Sequence, residues 1–253
     1  MTNILVISDP HAHPDHPNDR ADWLAQYIID TRPDIVVNIG DAADMPSLSA
    51  YDKGKRSFHG RNYRADIDSH LDFQERLWGP VRARKKKLPY RVVLEGNHEH
   101  RVERALDLSP ELDGAISFQH FGFEDYYDEV VRYQGGTPGK FTTNGVTFAH
   151  YFISGVMGRP CGGEHPATSL IAKQLHSCVS GHLHLADWSC RTDAMGRKMM
   201  GLFCGVYQDY DSDWAGDANR LWWRGVTMLH NVEDGNFDPE FVSINRLRNA
   251  YGK

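Results

Sequence analysis

The chain has 253 residues, 40% of them hydrophobic and 25% charged, with a formal net charge of −6. That length supports a substantial buried core, and residues 1–253 read as a single domain. The acidic balance excludes a broad field that would hold nucleic acid non-specifically, so any grip on a polyanion has to be local or to come through bound metal.

The four cysteines, Cys161, Cys178, Cys190 and Cys204, form no C-x-x-C pair. This argues against a thiolate zinc site and against a disulfide framework, and suits reduced thiols. The opening MTNILVISDP has no basic segment and only a short apolar run, and no later stretch is long enough to span a bilayer. A soluble, cytoplasmic protein without membrane contact is expected.

In chain order, residues 3–8 (NILVIS) form an apolar run ended by Asp-Pro, the pattern of a buried strand. Asn18 or Asp19 can cap a helix to about Thr31, with Trp23, Leu24, Tyr27 and Ile28 on its inner face. Residues 35–39 (IVVNI) give a second strand, and strand, helix, strand at this spacing is a βαβ unit with parallel neighbours. A helix over 66–87 follows, with Ile67, Leu71, Leu77, Trp78 and Val81 inward and Gly79-Pro80 expected to kink or divide it. A strand over 90–94 and a helix from about Glu99 complete the first half. The second half offers short β segments near 129–133, 145–150, 177–180, 187–192, 198–204, 224–231 and 240–244, with a helix near 167–176. An α/β first half and a β-rich second half predict two packed sheets flanked by helices.

The strand ends carry the chemistry. Asp9-Pro10-His11 follows the first strand, Gly40-Asp41 the second and Gly96-Asn97-His98-Glu99 the third, while His150 ends the TFAH run and His182-Leu183-His184 follows VSG. Residues two apart in an extended segment point the same way, and parallel sheets gather ligands at the carboxyl ends of their strands. Each piece alone is weak, since Gly-Asp after a strand is ordinarily a turn. Together, each after an apolar run, Asp9, His11, Asp41, Asn97, His150, His182 and His184 form a nitrogen and oxygen set suited to manganese, iron, zinc or nickel, and manganese is the metal expected. The set is large enough for two divalent metal ions, with one carboxylate between them. Two divalent cations against Asp9, Asp41 and a hydroxide leave a net charge of about +1, which favours an anionic substrate such as a phosphate ester.

In order, DPH, GDAAD, GNHE, the isolated His150 and GHLH resemble the motif blocks of the calcineurin-like metallophosphoesterases. The resemblance runs from Asp9 to His184 and implies an α/β fold, a four-layer αββα sandwich of two mixed sheets flanked by helices. It also implies that Asp9, His11, Asp41 and His184 surround one metal, that Asp41, Asn97, His150 and His182 surround the other, and that Asp41 bridges. His98 would stand near the leaving-group oxygen. The DPH block lacks the Gly-Asp-x-His-Gly form of the serine/threonine phosphatases and GDAADMPS lacks their Asp-Arg-Gly continuation, which argues against protein phosphatase activity. Tyr151 follows His150 where many members have glycine. The segments YDKGKRSFHGRNYRADID and YQDYDSDWAGDANRLWWRG look like those of phage- or prophage-encoded members.

The expected reaction is hydrolysis by a metal-bridging hydroxide attacking phosphorus in line, with His98 protonating or hydrogen-bonding the departing oxygen. Asp44 is a candidate for orienting a ligand from behind, and His13 and His100 lie close by in sequence. Arg56, Arg61 and Arg64, interleaved with Tyr51, Phe58 and Tyr63, are candidate substrate contacts, although a solvated loop has the same composition. Arg82, Arg84, Lys85, Lys86 and Lys87 read instead as cations complementing a helix end. Trp214, Trp222 and Trp223 can stack bases or simply fill a core or an interface. DYDSDWAG imitates a calcium loop, but Trp214 stands where glycine is needed and Arg220 where a glutamate ligand belongs. The leading expectation is a phosphodiesterase acting on a nucleotide or nucleic-acid diester. The alternatives are a phosphomonoesterase for a small metabolite or nucleotide, and a non-catalytic binding module on the same fold. The sequence leaves the oligomeric state open.

Overall fold

The computed structural model describes residues 1–84 and 86–252; of the basic helix-end cluster, Lys85 lies outside the described residues. The elements in chain order are β1 (Thr2–Ile7), α1 (Asp19–Thr31), β2 (Ile35–Asn38), α2 (Tyr63–Ala83), β3 (Tyr90–Leu94), α3 (Arg101–Leu108), α4 (Phe123–Tyr126) and β4 (Glu129–Val131). Then come β5 (Phe141–Thr143), β6 (Val146–Ala149), β7 (Ile153–Ser154), β8 (Arg159–Pro160), α5 (Pro166–Gln174), β9 (Cys178–Ser180), β10 (Ala186–Thr192), β11 (Lys198–Cys204), β12 (Gly225–Glu233), β13 (Asn236–Ser243) and α6 (Ile244–Tyr251).

Alternation along the strands builds the layers. In β1, Leu5 and Ile7 face the helices, while Ile4 and Val6 face the other sheet. The first sheet has six strands in the order β13-β12-β1-β2-β3-β4, with β1, β2, β3 and β4 parallel and β12 and β13 antiparallel. The second has five in the order β10-β11-β9-β6-β5, parallel only at β11-β9 and β9-β6. Between the sheets lies a core that includes Val37, Val92, Leu94, Phe148, Val179 and Leu202. A second core joins the first sheet to α1, α2 and α6, with Leu24, Phe73, Trp78 and Leu247. A third seats Ala167 and Leu170 of α5 on Cys178 and Phe203 of the second sheet. Three cores between four layers make the αββα sandwich that the motif order implied.

Several expectations need correction. Asn18 precedes α1 but makes no side-chain cap; its Nδ2 donates to Ser69 O and Asp72 Oδ2 (both 2.9 Å), tying α1 to α2. Helix α2 begins at Tyr63, three residues before the expected start, because Asn62 Oδ1 accepts from the N–H groups of Arg64 and Ala65. Gly79-Pro80 does not divide it, and α2 ends at Ala83, short of the expected 87, so Lys86 and Lys87 fall outside the helix. Pro80 removes one backbone donor near the helix end, which packing of Leu77, Trp78 and Val81 outweighs. Strand β5 and helix α6 have no counterpart in the sequence reading. Cys161, Cys178 and Cys204 are buried, Cys190 is exposed, and all four are free. Among the described residues, no helix is long and apolar enough to cross a membrane.

Candidate metal centre

Five strand ends meet at one edge of the sandwich. Asp9 and His11 leave β1, Asp41 leaves β2, Asn97 and His98 leave β3, His150 follows β6, and His182 and His184 follow β9. The turn that each strand makes there is sharp. Asp9, His11, Asp41, His182 and His184 all adopt left-handed backbone angles, with φ between 45° and 68°. This conformation costs a residue with a Cβ about 1 kcal/mol. Aspartate and histidine tolerate it better than most, and it concentrates where function constrains the backbone.

Packing holds the turns in place. A Cβ on Gly40 would lie 2.7 Å from Gly96 Cα, and one on Gly96 would strike the Asp41 backbone and carboxylate, so two glycines let the β2 and β3 exits approach. Glu99 fastens the same junction: its carboxylate accepts from the N–H groups of Asp41 (3.0 Å), Ala43 (2.9 Å) and Gly96 (2.8 Å). Burial and the nearby Asp41 charge push the Glu99 carboxyl up to about 7. On the β1 side, the buried Arg20 donates to Pro10 O (2.9 Å) and His11 O (3.3 Å), and Tyr210 Oη donates to His11 O (2.6 Å). Neither Glu99, Arg20 nor Tyr210 was assigned a role from sequence. Only Glu99 left a trace there, an acid three residues after a glycine at a helix entry, the backward-reaching half of a capping box.

The side chains form three overlapping groups: Asp9 with His11 and His184, His11 with Asp41 and His98, and Asp41 with His150 and His182. Asp41 Oδ2 lies 3.4 Å from His150 Nε2, 3.9 Å from His11 Nε2 and 3.7 Å from His98 Nε2. Asp9 Oδ1 is 3.6 Å from His184 Nε2, and its carboxylate accepts from the His182 N–H at 3.1 Å. Asn97 Oδ1 is 2.9 Å from His150 Nε2. All seven residues expected as ligands therefore converge, with His98 beside them.

The arrangement suits cations. His150 Nδ1 is 3.0 Å from Ile39 O, a contact that needs the proton on Nδ1. That leaves the Nε2 lone pair facing the oxygens of Asn97 and Asp41, acceptor against acceptor, unless a positive charge lies between them. His11 Nε2 and His184 Nε2 likewise face each other at 3.3 Å. Without a cation, protons have to serve. Burial lowers the basicity of His150, but Asp41 and Asp9 outweigh this and hold it at about 9. Burial opposes ionisation of Asp9 and Asp41 as well. His184 and His150 nonetheless keep Asp9 at about 2, and His150, His98 and His11 keep Asp41 well below the carboxylate range. His182, buried beside His150, is pushed down to about 4.

His98 has a separate setting. Its N–H donates to Asp41 Oδ1 (2.8 Å), its Nδ1 is 2.6 Å from Asp44 O, and its Nε2 is 3.0 Å from Arg101 Nη2. Burial and the Arg101 charge lower its pKa. Asp44 sits behind both His98 and His11, with Oδ1 3.1 Å and 3.2 Å from their Nδ1 atoms, although neither contact has the alignment of a hydrogen bond. His13 Nε2 is 3.7 Å from Asp44 Oδ2, and His100 bonds Glu95 (3.0 Å) and stacks on Tyr133. Tyr151 packs on His182, with ring centroids 4.9 Å apart.

The three arginines expected to meet substrate are not gathered with this group. Arg56 is exposed on a short turn, and Arg64 pairs with Asp68 (2.9 Å) on the surface of α2. Arg61 bonds Asp52 and Pro46 O (both 2.9 Å), yet stands near enough for its charge to act on His13.

Comparison with known proteins gives these blocks a common origin. A family model described as calcineurin-like phosphoesterase matches residues 2–234. The Gene 54 protein of Mycobacterium phage L5 is 30% identical over 153 residues, and the match spans 56% of this chain and 56% of that protein. Among solved structures, Yfce, a phosphoesterase from E. coli, is 12% identical with a TM-score of 0.40, covering 95% of this chain and 100% of its own. The Pseudomonas putida nuclease MPE is 11% identical with a TM-score of 0.37, covering 94% of this chain and 87% of its own. Neither superposition is close enough to bear on the chemistry of this chain. The family match is of another kind, because it takes in every strand end from Asp9 to His184: the chain belongs to the calcineurin-like phosphoesterases.

Proposed function

We propose that the protein is a dinuclear metal-dependent phosphodiesterase acting on a nucleotide or nucleic-acid diester. Two divalent ions, manganese in our reading, would be held by Asp9, His11, Asp41 and His184 and by Asp41, Asn97, His150 and His182, and would supply Lewis acidity and an activated water. Asp41, whose carboxylate lies within reach of both groups, would be shared between them. Glu99, Arg20 and Tyr210 hold the turns that aim these ligands, so their reorganisation during the reaction is small. His98 meets the leaving-group oxygen, and Asp44 fixes its ring through Nδ1.

The observation that carries the diester reading is the supply of cations. Among the described residues, Arg101 is the arginine whose guanidinium meets a side chain of the centre, and it is already bonded to Asp44 O (2.8 Å) and Met45 O (3.1 Å). Asp44 offsets the Arg101 charge, so a centre of net charge about +1 with no further free cation among the described residues matches a diester of charge −1 better than a monoester dianion. Hydrolysis of bis(p-nitrophenyl) phosphate beside p-nitrophenyl phosphate, in excess Mn²⁺ and after chelation, tests this. Faster, chelator-sensitive cleavage of the diester is expected; preference for the monoester overturns the reading.

A further inference from the structure

The segment between β11 and β12 brings two indoles to the metal centre. Trp222 packs edge-on against His184, with centroids 4.4 Å apart and planes at 89°. Trp214 lies 5.7 Å from Trp222, tilted by 51°, and remains 68% exposed. Beside them Leu221 is 72% exposed. An open apolar surface that begins on a proposed metal ligand is not the product of a frayed loop. Asn219 closes the loop on itself, accepting from the Ser212 N–H (3.0 Å) and donating to Ser212 O and Gly216 O (both 2.9 Å). The N–H of Trp223 donates to His184 O (3.0 Å), which fixes the register of the indoles on the metal side.

Charge decides what this surface can take. In the same segment Arg224 is bound to Asp211 (2.6 Å) and Arg220 to Asp217 (3.7 Å), which leaves Asp213 as the one carboxylate in excess. With both arginines of the segment tied to aspartates, the surface has no arginine to spare for the phosphates of a nucleic-acid strand running away from the metals. It does not repel an uncharged ring, and aromatic faces stack on any nucleobase. We propose that Trp214, with Trp222 as its back wall, is a stacking subsite for the nucleobase or other aromatic substituent of the ester, so that the substrate is a small nucleotide-type diester and not a polymer. This rests on the phosphodiesterase reading and narrows it.

The test is calorimetric titration of the Mn²⁺-loaded protein with adenosine 5′-monophosphate and with ribose 5-phosphate, which share a phosphate and a sugar and differ in the base. The nucleotide is expected to bind about tenfold tighter. Trp214→Ala should erase that margin and leave ribose 5-phosphate binding unchanged, while Trp214→Phe should keep most of it. Equal affinities in the wild type, or equal weakening of both ligands by Trp214→Ala, overturn the proposal. So does a dimer in gel filtration that Trp214→Ala converts to monomer, since the patch would then be covered by a second copy. Turnover of bis(p-nitrophenyl) phosphate, measured in parallel, separates the two readings: equal affinities with turnover intact remove only the subsite. Absence of turnover together with absence of binding of either ligand removes both.

Discussion

Glu99 shows how much of the centre depends on residues that touch no reacting atom. Three backbone N–H groups from two different loops end on one carboxylate. Glutamine keeps the shape but offers one acceptor oxygen in place of two, so at least one buried donor is stranded. Glu99→Gln is therefore expected to weaken Mn²⁺ binding by roughly tenfold, read by calorimetry, with the circular dichroism spectrum unchanged. Gly96→Ala acts more harshly, because its methyl occupies the place of the Asp41 carboxylate. Turnover should fall by about 100-fold or more. Asp41→Asn and His98→Ala should each abolish turnover in a folded protein; activity surviving either change rejects the assigned roles. The convergence of Asp9, His11, Asp41, Asn97, His150, His182 and His184 was legible in the sequence because each follows an apolar run, and strand ends in parallel sheets share an edge. The supports of these residues were not legible. Arg20 and Tyr210 act on the backbone of His11, and nothing in a side-chain pattern marks a distant carbonyl as a partner.

At the scale of elements, α2 carries two buried titratable groups one turn apart with opposite consequences. His70 is enclosed and donates from Nε2 to Phe121 O (3.2 Å); burial pushes its pKa down to about 4. The unfolded chain protonates this histidine below about 6.5, so its contribution to stability is complete above that pH and declines down to about 4. Asp66, buried while accepting from the Ser47 N–H, is pushed up to about 6. Its contribution runs the other way, present below about 3.8 and lost as pH rises to about 6. Each amounts to about 3 kcal/mol across its window, and in the wild type the two largely offset. Relative to wild type, Asp66→Asn should make stability rise with pH between 4 and 6, and His70→Phe should make it fall. Urea denaturation of the metal-free protein at pH 4, 5, 6 and 7 measures both slopes. The long periodic elements were readable from sequence, including α1, β1, β2, β3 and α5. Helix α6 escaped because its inward face is small, Ile244 and Leu247 with Tyr251 half-buried beside them, on a largely polar octapeptide. Strand β5 escaped because it has three residues and a pairing partner, β6, which alone supplies its register.

Over the whole molecule, the proposed ligands divide between the two sheets: Asp9, His11, Asp41 and Asn97 come from the first, His150, His182 and His184 from the second. Metal bound at Asp41 and His150 would thus add to the few polar contacts that join the layers at that edge, His150 to Ile39 O and the His182 N–H to Asp9. Because the unfolded chain has no such site, metal at about 100 times its dissociation constant should add about 2.7 kcal/mol of stability. Chelation should remove that gain, seen as a lower midpoint in a thermal melt, and Asp41→Asn should make the melt insensitive to chelator. The same division sets an order of events during synthesis. The ribosome releases the first four ligands long before His150, and the last two only after β9 has emerged. Until then a nascent chain holds a half-site with no partner sheet, so a metal that needs both halves would load only on a chain extended past His184.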